Sequence, residues 1–190
     1  ASKLNVPRIG VRFRLPASMN QVEYFGRGPA ENYLDRNAGS MVGLYKSTAE
    51  ELYFPYVRPQ ENGHHTDTRW VSLSTGKKGL LIQADNTIGF NALRNSIEDF
   101  DDEEATGLPR QWSNFTPEQV ANHDEAAAKN VLRRQHHINN ITPRDFVEVC
   151  VDLKQQGVAG YDSWGSRPEP AYTLPANREY NWGFTLIPLK

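Results

Sequence analysis

The segment Arg8-Ile9-Gly10-Val11-Arg12-Phe13-Arg14-Leu15 alternates apolar residues with glycine and arginine at a period of two. In an extended chain, successive side chains point to opposite faces, so the apolar residues share one face and the arginines share the other. The segment therefore predicts a β-strand that buries one face in a core and turns the other toward water.

Other runs of strand character follow and are separated by turn-forming residues. The glycine-containing segment 74–79 is predicted as the tight turn of a hairpin. Because helices do not alternate regularly with the strands, the pattern predicts an all-β antiparallel sandwich rather than a parallel α/β sheet. The predicted strands are residues 21–26, 69–73, 79–84, 90–93, 145–153, 171–174 and 180–186.

One short helix is expected in this β-rich chain. Thr116-Pro117-Glu118-Gln119 combines a capping hydroxyl, a proline at the first helical position and a glutamine three residues after the cap. This combination predicts a helix that continues toward His123.

Length and composition favour a single folded domain over residues 1–190. Hydrophobic residues make up 38% of the chain and charged residues 23%, which is enough apolar material for a core. The net charge of −2 and the scattered basic residues predict no nucleic-acid partner and no membrane partner. The single cysteine, Cys150, lies in an apolar run and is predicted to be a small buried hydrophobe.

The chain begins with Ala1 and leads directly into a strand-like run, as we expect of a piece taken from a longer polypeptide. No run approaches the roughly 18 apolar residues of a membrane span, and no segment resembles a signal peptide. These features select no compartment, so both a cytoplasmic and a periplasmic location stay open.

The chain carries 23 acidic residues, and one reaction that a pair of facing carboxyl groups can catalyse is glycoside hydrolysis. Sequence cannot select such a pair from 23 acidic residues, and an all-β chain of 190 residues cannot also contain a (β/α)₈ barrel of about 250 residues. We therefore predict no catalytic residue in this chain. The acidic run at residues 98–104 lacks the spaced pattern of a calcium loop, so it predicts a solvated loop and no metal site.

His64 and His65 follow a turn-rich segment, and loops often carry functional groups. Adjacent side chains on an extended segment point in opposite directions, so at most one of the two could act as an acid or base in a sugar-binding groove. The alternative is a structural role for both, as hydrogen-bonding anchors of a loop or of a domain interface.

Trp164 lies in the loop Gly160-Tyr161-Asp162-Ser163-Trp164-Gly165-Ser166-Arg167-Pro168, among small and polar residues. An indole offers a flat apolar face for the C–H face of a sugar and one N–H donor, so an exposed loop tryptophan is typical of carbohydrate contacts. A structural role for this ring is the alternative.

Six segments, in order along the chain, together resemble the C-terminal domain of the bacterial β-galactosidases of glycoside hydrolase family 2. Any one of them would be a weak signal, and their order over most of the chain is what makes the resemblance specific. They are Arg8-Ile9-Gly10, residues 26–36 (Gly-Arg-Gly-Pro-Ala-Glu-Asn-Tyr-Leu-Asp-Arg), residues 55–63 (Pro-Tyr-Val-Arg-Pro-Gln-Glu-Asn-Gly), Thr68-Arg69, Glu118-Gln119 and Tyr161-Asp162-Ser163-Trp164.

The resemblance implies a two-sheet supersandwich that is similar to galactose mutarotases and packs against a barrel domain holding the catalytic glutamates. The chain would then be a C-terminal accessory domain of an enzyme that hydrolyses terminal β-D-galactosides such as lactose. By the same resemblance, Asp162, Ser163 and Trp164 reach the active site, where Trp164 stacks on the sugar. Residues 31–36 and 60–63 are expected to be structural or interfacial.

The resemblance also implies the partners. They are a galactoside, the remaining domains of the same polypeptide and, in the parent enzyme, further copies in a homo-oligomer. No cofactor is expected in this chain, whereas Mg²⁺ and Na⁺ are expected in other domains of the parent. Tyr161 replaces an aspartate found in many relatives, which leaves the fine specificity open. A free-standing carbohydrate-binding module or an aldose mutarotase is the alternative function.

Overall fold

The structure is a computed structural model that describes residues 4–57, 60, 62–100, 138, 141–162 and 165–190. Its strands confirm the all-β antiparallel class. The strands in the described residues are β1 (Arg8–Pro16), β2 (Gln21–Gly28), β3 (Met41–Thr48), β4 (His65–Ser74), β5 (Gly79–Leu93), β6 (Phe146–Gln155) and β7 (Phe184–Leu189), and 3-10 helices span Ile97–Asp99 and Pro170–Tyr172.

The seven strands form one antiparallel sheet in the order β1-β6-β5-β4-β2-β3, and β7 also pairs with β5. The 15-residue strand β5 pairs with β7 through its first part and with β6 through its last part. The predicted strands at residues 79–84 and 90–93 are thus the two ends of one strand. The two-sheet supersandwich stays a prediction, because the described residues form this one sheet.

The alternation read from the sequence places one face of the sheet in the core. Cross-strand pairing brings Tyr24 opposite Val71 and Val71 opposite Ile82, and all three are fully buried. Burial of each side chain of this size contributes about 1.5–3 kcal/mol to folding. The core on this face also includes Val22, Leu73, Phe90, Val147, Val149 and Val151.

The chain divides into two compact units. The first comprises residues 1–54, 62–94 and 144–190 and contains all seven strands. The second comprises residues 55–61 and 95–143, of which only part is described. One domain over residues 1–190 therefore stays a prediction.

In the second unit, Ser96 and Asp99 form a capping box on the 3-10 helix Ile97–Asp99. The Ser96 N–H donates to Asp99 Oδ2 at 2.9 Å, and Asp99 is buried. The prediction that residues 98–104 form a solvated loop is wrong for Asp99, because its carboxylate satisfies a backbone donor at the helix start. Residues 101–104 lie outside the described residues, as does the predicted helix at residues 116–123.

Two strand predictions near the C-terminus need correction. Residues 171–174 do not form a strand, because Pro170 starts a 3-10 helix, where its fixed φ fits the first position and its missing N–H costs nothing. The strand predicted at residues 180–186 begins only at Phe184. The hairpin turn at residues 74–79 and the burial of Cys150 are confirmed.

Candidate functional site

The loop predicted to contact sugar follows β6 and leads to the 3-10 helix at Pro170. Its described parts are residues 156–162 and 165–169, and Asp162 and Tyr161 are both exposed to solvent. Ser163 and Trp164 lie outside the described residues. Asp162 is thus the one predicted sugar contact whose surroundings the structure describes.

Asp35 anchors the beginning of this loop, although 123 residues separate it from Val158 in sequence. Its Oδ1 accepts the Val158 N–H at 3.0 Å, and its Oδ2 accepts the Ala159 N–H at 2.8 Å. A Cβ added at Gly157 would lie 2.5 Å from Asp35 Cγ, so the approach of the carboxylate requires glycine there. The Gly157 N–H also donates to the Tyr172 carbonyl at 2.8 Å.

The loop beyond this anchor turns through left-handed backbone. Ala159 has a φ of 56° and Gly160 a φ of 89°, and Gly165 has a φ of 86°. For a residue with a Cβ, this conformation costs about 1 kcal/mol, so Ala159 needs support from its surroundings. The Tyr161 N–H donates to Ser166 Oγ at 3.0 Å, which joins the two described parts of the loop.

A tight turn carries Asp35. Tyr33 and Arg36 form an isolated antiparallel bridge, with the Arg36 N–H donating to the Tyr33 carbonyl at 2.8 Å. The Arg36 guanidinium donates to Glu31 at 2.8 Å, and Tyr33 is buried. Asp35 is therefore presented from a turn whose two ends are fixed by a backbone pair and a buried ring.

Residues 26–36, one of the segments that carry the family resemblance, and residues 62–66, which begin inside the segment 55–63, hold each other in place. The fully buried Asn32 accepts the Thr66 N–H at 2.9 Å and the Thr66 hydroxyl at 2.6 Å through its side-chain oxygen. Its Nδ2 donates to the carbonyls of Arg27 and Ala30. Because every polar atom of this amide is satisfied, Asn32 ties the two segments together.

His64 lies in a buried polar cluster on the face of the sheet opposite the main core. Its Nδ1 lies 2.8 Å from Asn91 Oδ1, which also accepts from Arg8 at 2.7 Å. The Asn91 amide nitrogen donates to the Asn62 carbonyl at 2.6 Å, so the amide orientation assigns the proton to His64 Nδ1. Burial lowers the pKa of His64 to about 3, which keeps the ring neutral.

Asp152 also belongs to this cluster. Its Oδ2 lies 2.9 Å from the Arg8 guanidinium and 3.9 Å from His64 Nδ1, and both partners of the His64–Asp152 pair are shielded from solvent. A Cβ added at Gly10 would lie 2.0 Å from Asp152 Oδ1. A histidine and a carboxylate thus converge here, but they do so inside the fold, where a sugar has no access.

His65 points to the core face. Its ring stacks on Phe90 with centroids 5.1 Å apart and meets the edge of Tyr24 at 4.9 Å. Its nitrogens face the carbonyls of Gly63 and Pro29, and burial lowers its pKa. The two histidines point in opposite directions as expected, and their burial favours the structural alternative over a groove.

A polar cleft of about 280 Å³ lies close to the loop anchor in sequence and space. Leu34 and Thr173 both line the cleft. Leu34 directly precedes Asp35, and Thr173 directly follows Tyr172, whose carbonyl accepts the Gly157 N–H. Arg178 and Glu179 also line the cleft. The cleft offers both donors and acceptors, and it could not be predicted from sequence because its residues come from distant segments.

Among the described residues, no group of three or more histidine, cysteine or acidic side chains is arranged to hold a metal ion. The described part of the chain also contains no helix with the length and apolar character needed to cross a membrane.

The chain matches a known protein family over nearly its whole length. The family model described as "Beta galactosidase small chain" matches residues 1–186. The chain belongs to the β-galactosidase small-chain family. The segments at residues 26–36 and 62–66 that hold each other in the fold both lie inside the match.

Curated relatives agree with this family. The β-galactosidase of Priestia megaterium is 35% identical over 185 residues, which cover 97% of this chain and 15% of that protein. The β-galactosidase of Streptococcus thermophilus is 28% identical over 97% of this chain and 15% of that protein. The β-galactosidase of an Arthrobacter species is 42% identical over 99 residues, which cover 49% of this chain and 10% of that protein. The small-chain segment thus spans about 15% of the length of the relatives that it matches almost throughout.

Proposed function

We propose that this chain is an accessory domain of a retaining β-galactosidase of glycoside hydrolase family 2. It contributes the loop with Asp162, Ser163 and Trp164 to a galactoside site, while the catalytic glutamates belong to a barrel domain elsewhere in the polypeptide. The observation that carries this proposal is the match of nearly the whole chain to the β-galactosidase small-chain family, at about 15% of the length of the relatives.

The architecture of the loop supports a binding role. Residues that build the core are held by burial, whereas this loop is exposed and is fixed by polar contacts from Asp35 and Ser166. Exposed loops on a rigid scaffold are where binding residues concentrate. A contact of this kind improves binding and positioning of the sugar but forms no bond to it.

An apolar row on the outer face of the sheet supports the role of a domain that packs against other parts of a protein. Leu44, Phe25 and Trp70 are cross-strand neighbours on β3, β2 and β4. Leu44 is 59% exposed and Phe25 is 38% exposed. Trp70 is half-buried beside them, and contiguous apolar side chains that face solvent are typical of interaction surfaces. We assign the outer row, defined as Leu44, Phe25 and Trp70, to contact with the remaining domains of the same polypeptide.

The buried His64 cluster gives no support to an independent catalyst. An epimerase that opens and closes a sugar ring needs an acid and a base in contact with substrate. His64 and Asp152 are each at most 1% exposed. The same pair is held by Asn91 and Arg8, which suits a structural role.

The proposal is tested by changing Trp164 to Ala in the complete polypeptide that contains this chain. Because the ring acts through binding, we expect KM for lactose to rise about tenfold or more with a smaller change in kcat. Trp164→Phe is the matched control, since it keeps an aromatic face and should recover much of the loss. An unchanged KM in Trp164→Ala would contradict the proposed role of the loop.

A second experiment uses the 190-residue chain alone. It is titrated with galactose and lactose by tryptophan fluorescence and ligand NMR line shapes, and hydrolysis and anomerisation are assayed in parallel. We expect neither reaction and at most millimolar binding, because the site is completed by other domains. Rapid anomerisation, or micromolar binding lost in a His64 variant, would identify an independent function instead.

A further inference from the structure

We propose that Asp35 is the positioning residue of the loop at residues 156–169, the loop predicted to contact the galactoside. The inference rests on the proposed function and deepens it, because it names the side chain that sets the path of the loop from Val158 to Asp162. Asp35 is not one of the predicted sugar-contact residues, and its proposed role does not require contact with the sugar.

The two hydrogen bonds of Asp35 determine the path of the loop at its origin. The carboxylate accepts from two successive backbone N–H groups, those of Val158 and Ala159, with one oxygen each. Hydrogen bonds to an ionised acceptor are stronger than bonds between neutral groups. A pair of them on adjacent residues fixes both the distance and the orientation of the peptide plane between these residues.

The fit around the carboxylate leaves little tolerance for other side chains. Asn at position 35 has one acceptor oxygen and would present its NH₂ group to one of the two N–H donors. Glu would extend one carbon further into a space that Gly157 already fills at its closest approach. Aspartate therefore combines the required length with two acceptors.

The hydrogen bond from Asp35 also holds Ala159 in a left-handed conformation, which sets the direction in which the loop continues. The residue lies at a φ of 56°, which an alanine adopts only with support, and its N–H is one of the two that Asp35 holds. Gly160 continues the turn at a φ of 89°, three residues before Ser163. Release of Asp35 would free Ala159 to return to an ordinary φ, which swings Tyr161 and Asp162 away.

The loop contributes little to the core, so its displacement should change binding more than stability. Val158 is 44% exposed and Tyr161 is 59% exposed. The turn that carries Asp35 is held independently by the Tyr33–Arg36 bridge. A variant at position 35 is therefore expected to fold and to misplace the loop.

The experiment compares Asp35→Asn and Asp35→Ala in the complete polypeptide. We expect hydrogen exchange of the Val158 and Ala159 backbone amides to become about tenfold faster or more, because these two amides lose their charged acceptor, whereas the Gly157 amide keeps the Tyr172 carbonyl. KM for lactose should rise about tenfold, with kcat changed less than about twofold. Asp145→Asn is the matched control, since Asp145 is exposed and lies one residue before β6, and it should change neither quantity.

A double-variant cycle separates an effect through the loop from an independent effect. If Asp35 acts by placing Trp164, Asp35→Asn should raise KM little further in a chain that already carries Trp164→Ala. An equal rise of KM in both backgrounds would overturn the inference, as would unchanged amide exchange in Asp35→Ala. If Trp164→Ala raises KM and Asp35→Asn does not, Asp35 has no positioning role. An unchanged KM in Trp164→Ala would instead overturn the proposed function itself.

Discussion

At the scale of single residues, the burial of His64 should make the stability of the fold depend on pH. Burial holds its folded pKa at about 3, below the ordinary 6.5, so the unfolded chain binds more protons between these values. The free energy of unfolding should therefore fall as pH drops below 6.5, by about 1.4 kcal/mol per pH unit for this group, and the loss should end near pH 3. The stability supplied by the neutral ring is fully present above pH 6.5.

Urea unfolding of the 190-residue chain between pH 7 and pH 4 measures this dependence. Carboxylates titrate in the same window, so the informative quantity is the difference from His64→Gln, which can still donate to Asn91. The slope should be smaller in the variant than in the wild type. Identical slopes would mean that His64 titrates in the folded chain as it does in the unfolded one.

Asn32 is the residue on which the pairing of residues 26–36 with residues 62–66 depends most. Asn32→Ala removes four hydrogen bonds at a fully buried site and leaves the partners at Thr66, Arg27 and Ala30 without them. We expect a loss of about 3 kcal/mol or more in the free energy of unfolding. Asn177→Ala, at an exposed turn, should change it by less than about 0.5 kcal/mol. A comparable loss in both variants in urea titrations would argue against this role.

Some residues of the predicted loop site could be identified from the sequence, and Asp35 could not. The sequence points to Trp164 and Asp162, because a tryptophan and an aspartate stand out in a loop of glycine and small polar residues. The sequence does not point to Asp35, because aspartate is common in turns and only the structure shows its hydrogen-bond partners. Those partners are two backbone N–H groups more than 120 residues away, and backbone donors leave no trace in a sequence.

At the scale of elements, the pairing of β1 with β6 depends on a glycine. Gly10 lies opposite Asp152, and a Cβ there would approach Asp152 Oδ1 to 2.0 Å and the Val151 carbonyl oxygen to 2.5 Å. Gly10→Ala should push the edge strand away and lower the free energy of unfolding by about 1–3 kcal/mol. Gly39→Ala is the control, because a Cβ there meets nothing within 4 Å. Equal unfolding midpoints in urea for the two variants would contradict this expectation.

Strands with clear alternation were predictable and strands with mixed composition were not. β1, β2, β4 and β6 lie where alternating or continuous apolar runs predict them. β3 was not predicted, because Met41–Thr48 contains a glycine and four polar or aromatic-hydroxyl residues and forms an edge of the sheet. The middle of β5 carries Asp85-Asn86-Thr87, which resembles a turn locally although tertiary pairing extends the strand through it.

At the scale of the whole molecule, the sheet has a buried face and an apolar outer row. The all-β class and the family could be predicted, because they follow from strand periodicity and from ordered motifs. Which outward-facing residues remain uncovered depends on strand order, and β2 lies between β3 and β4 in a way that no local pattern encodes. The outer row therefore emerges only from the fold.

Leu44→Glu tests whether this row is covered in the complete polypeptide. In the 190-residue chain, Leu44 is 59% exposed, so a charge there should change the free energy of unfolding by less than about 0.5 kcal/mol. If the remaining domains cover the row, the same change buries an unpaired charge, and the complete polypeptide should lose β-galactosidase activity at a lower temperature. Leu4→Glu is the matched control, because Leu4 is 70% exposed and lies outside the sheet, and it should have little effect in either form. A complete polypeptide that tolerates Leu44→Glu as well as Leu4→Glu would mean that the outer row faces solvent there too, and the domain would then have to pack through another face.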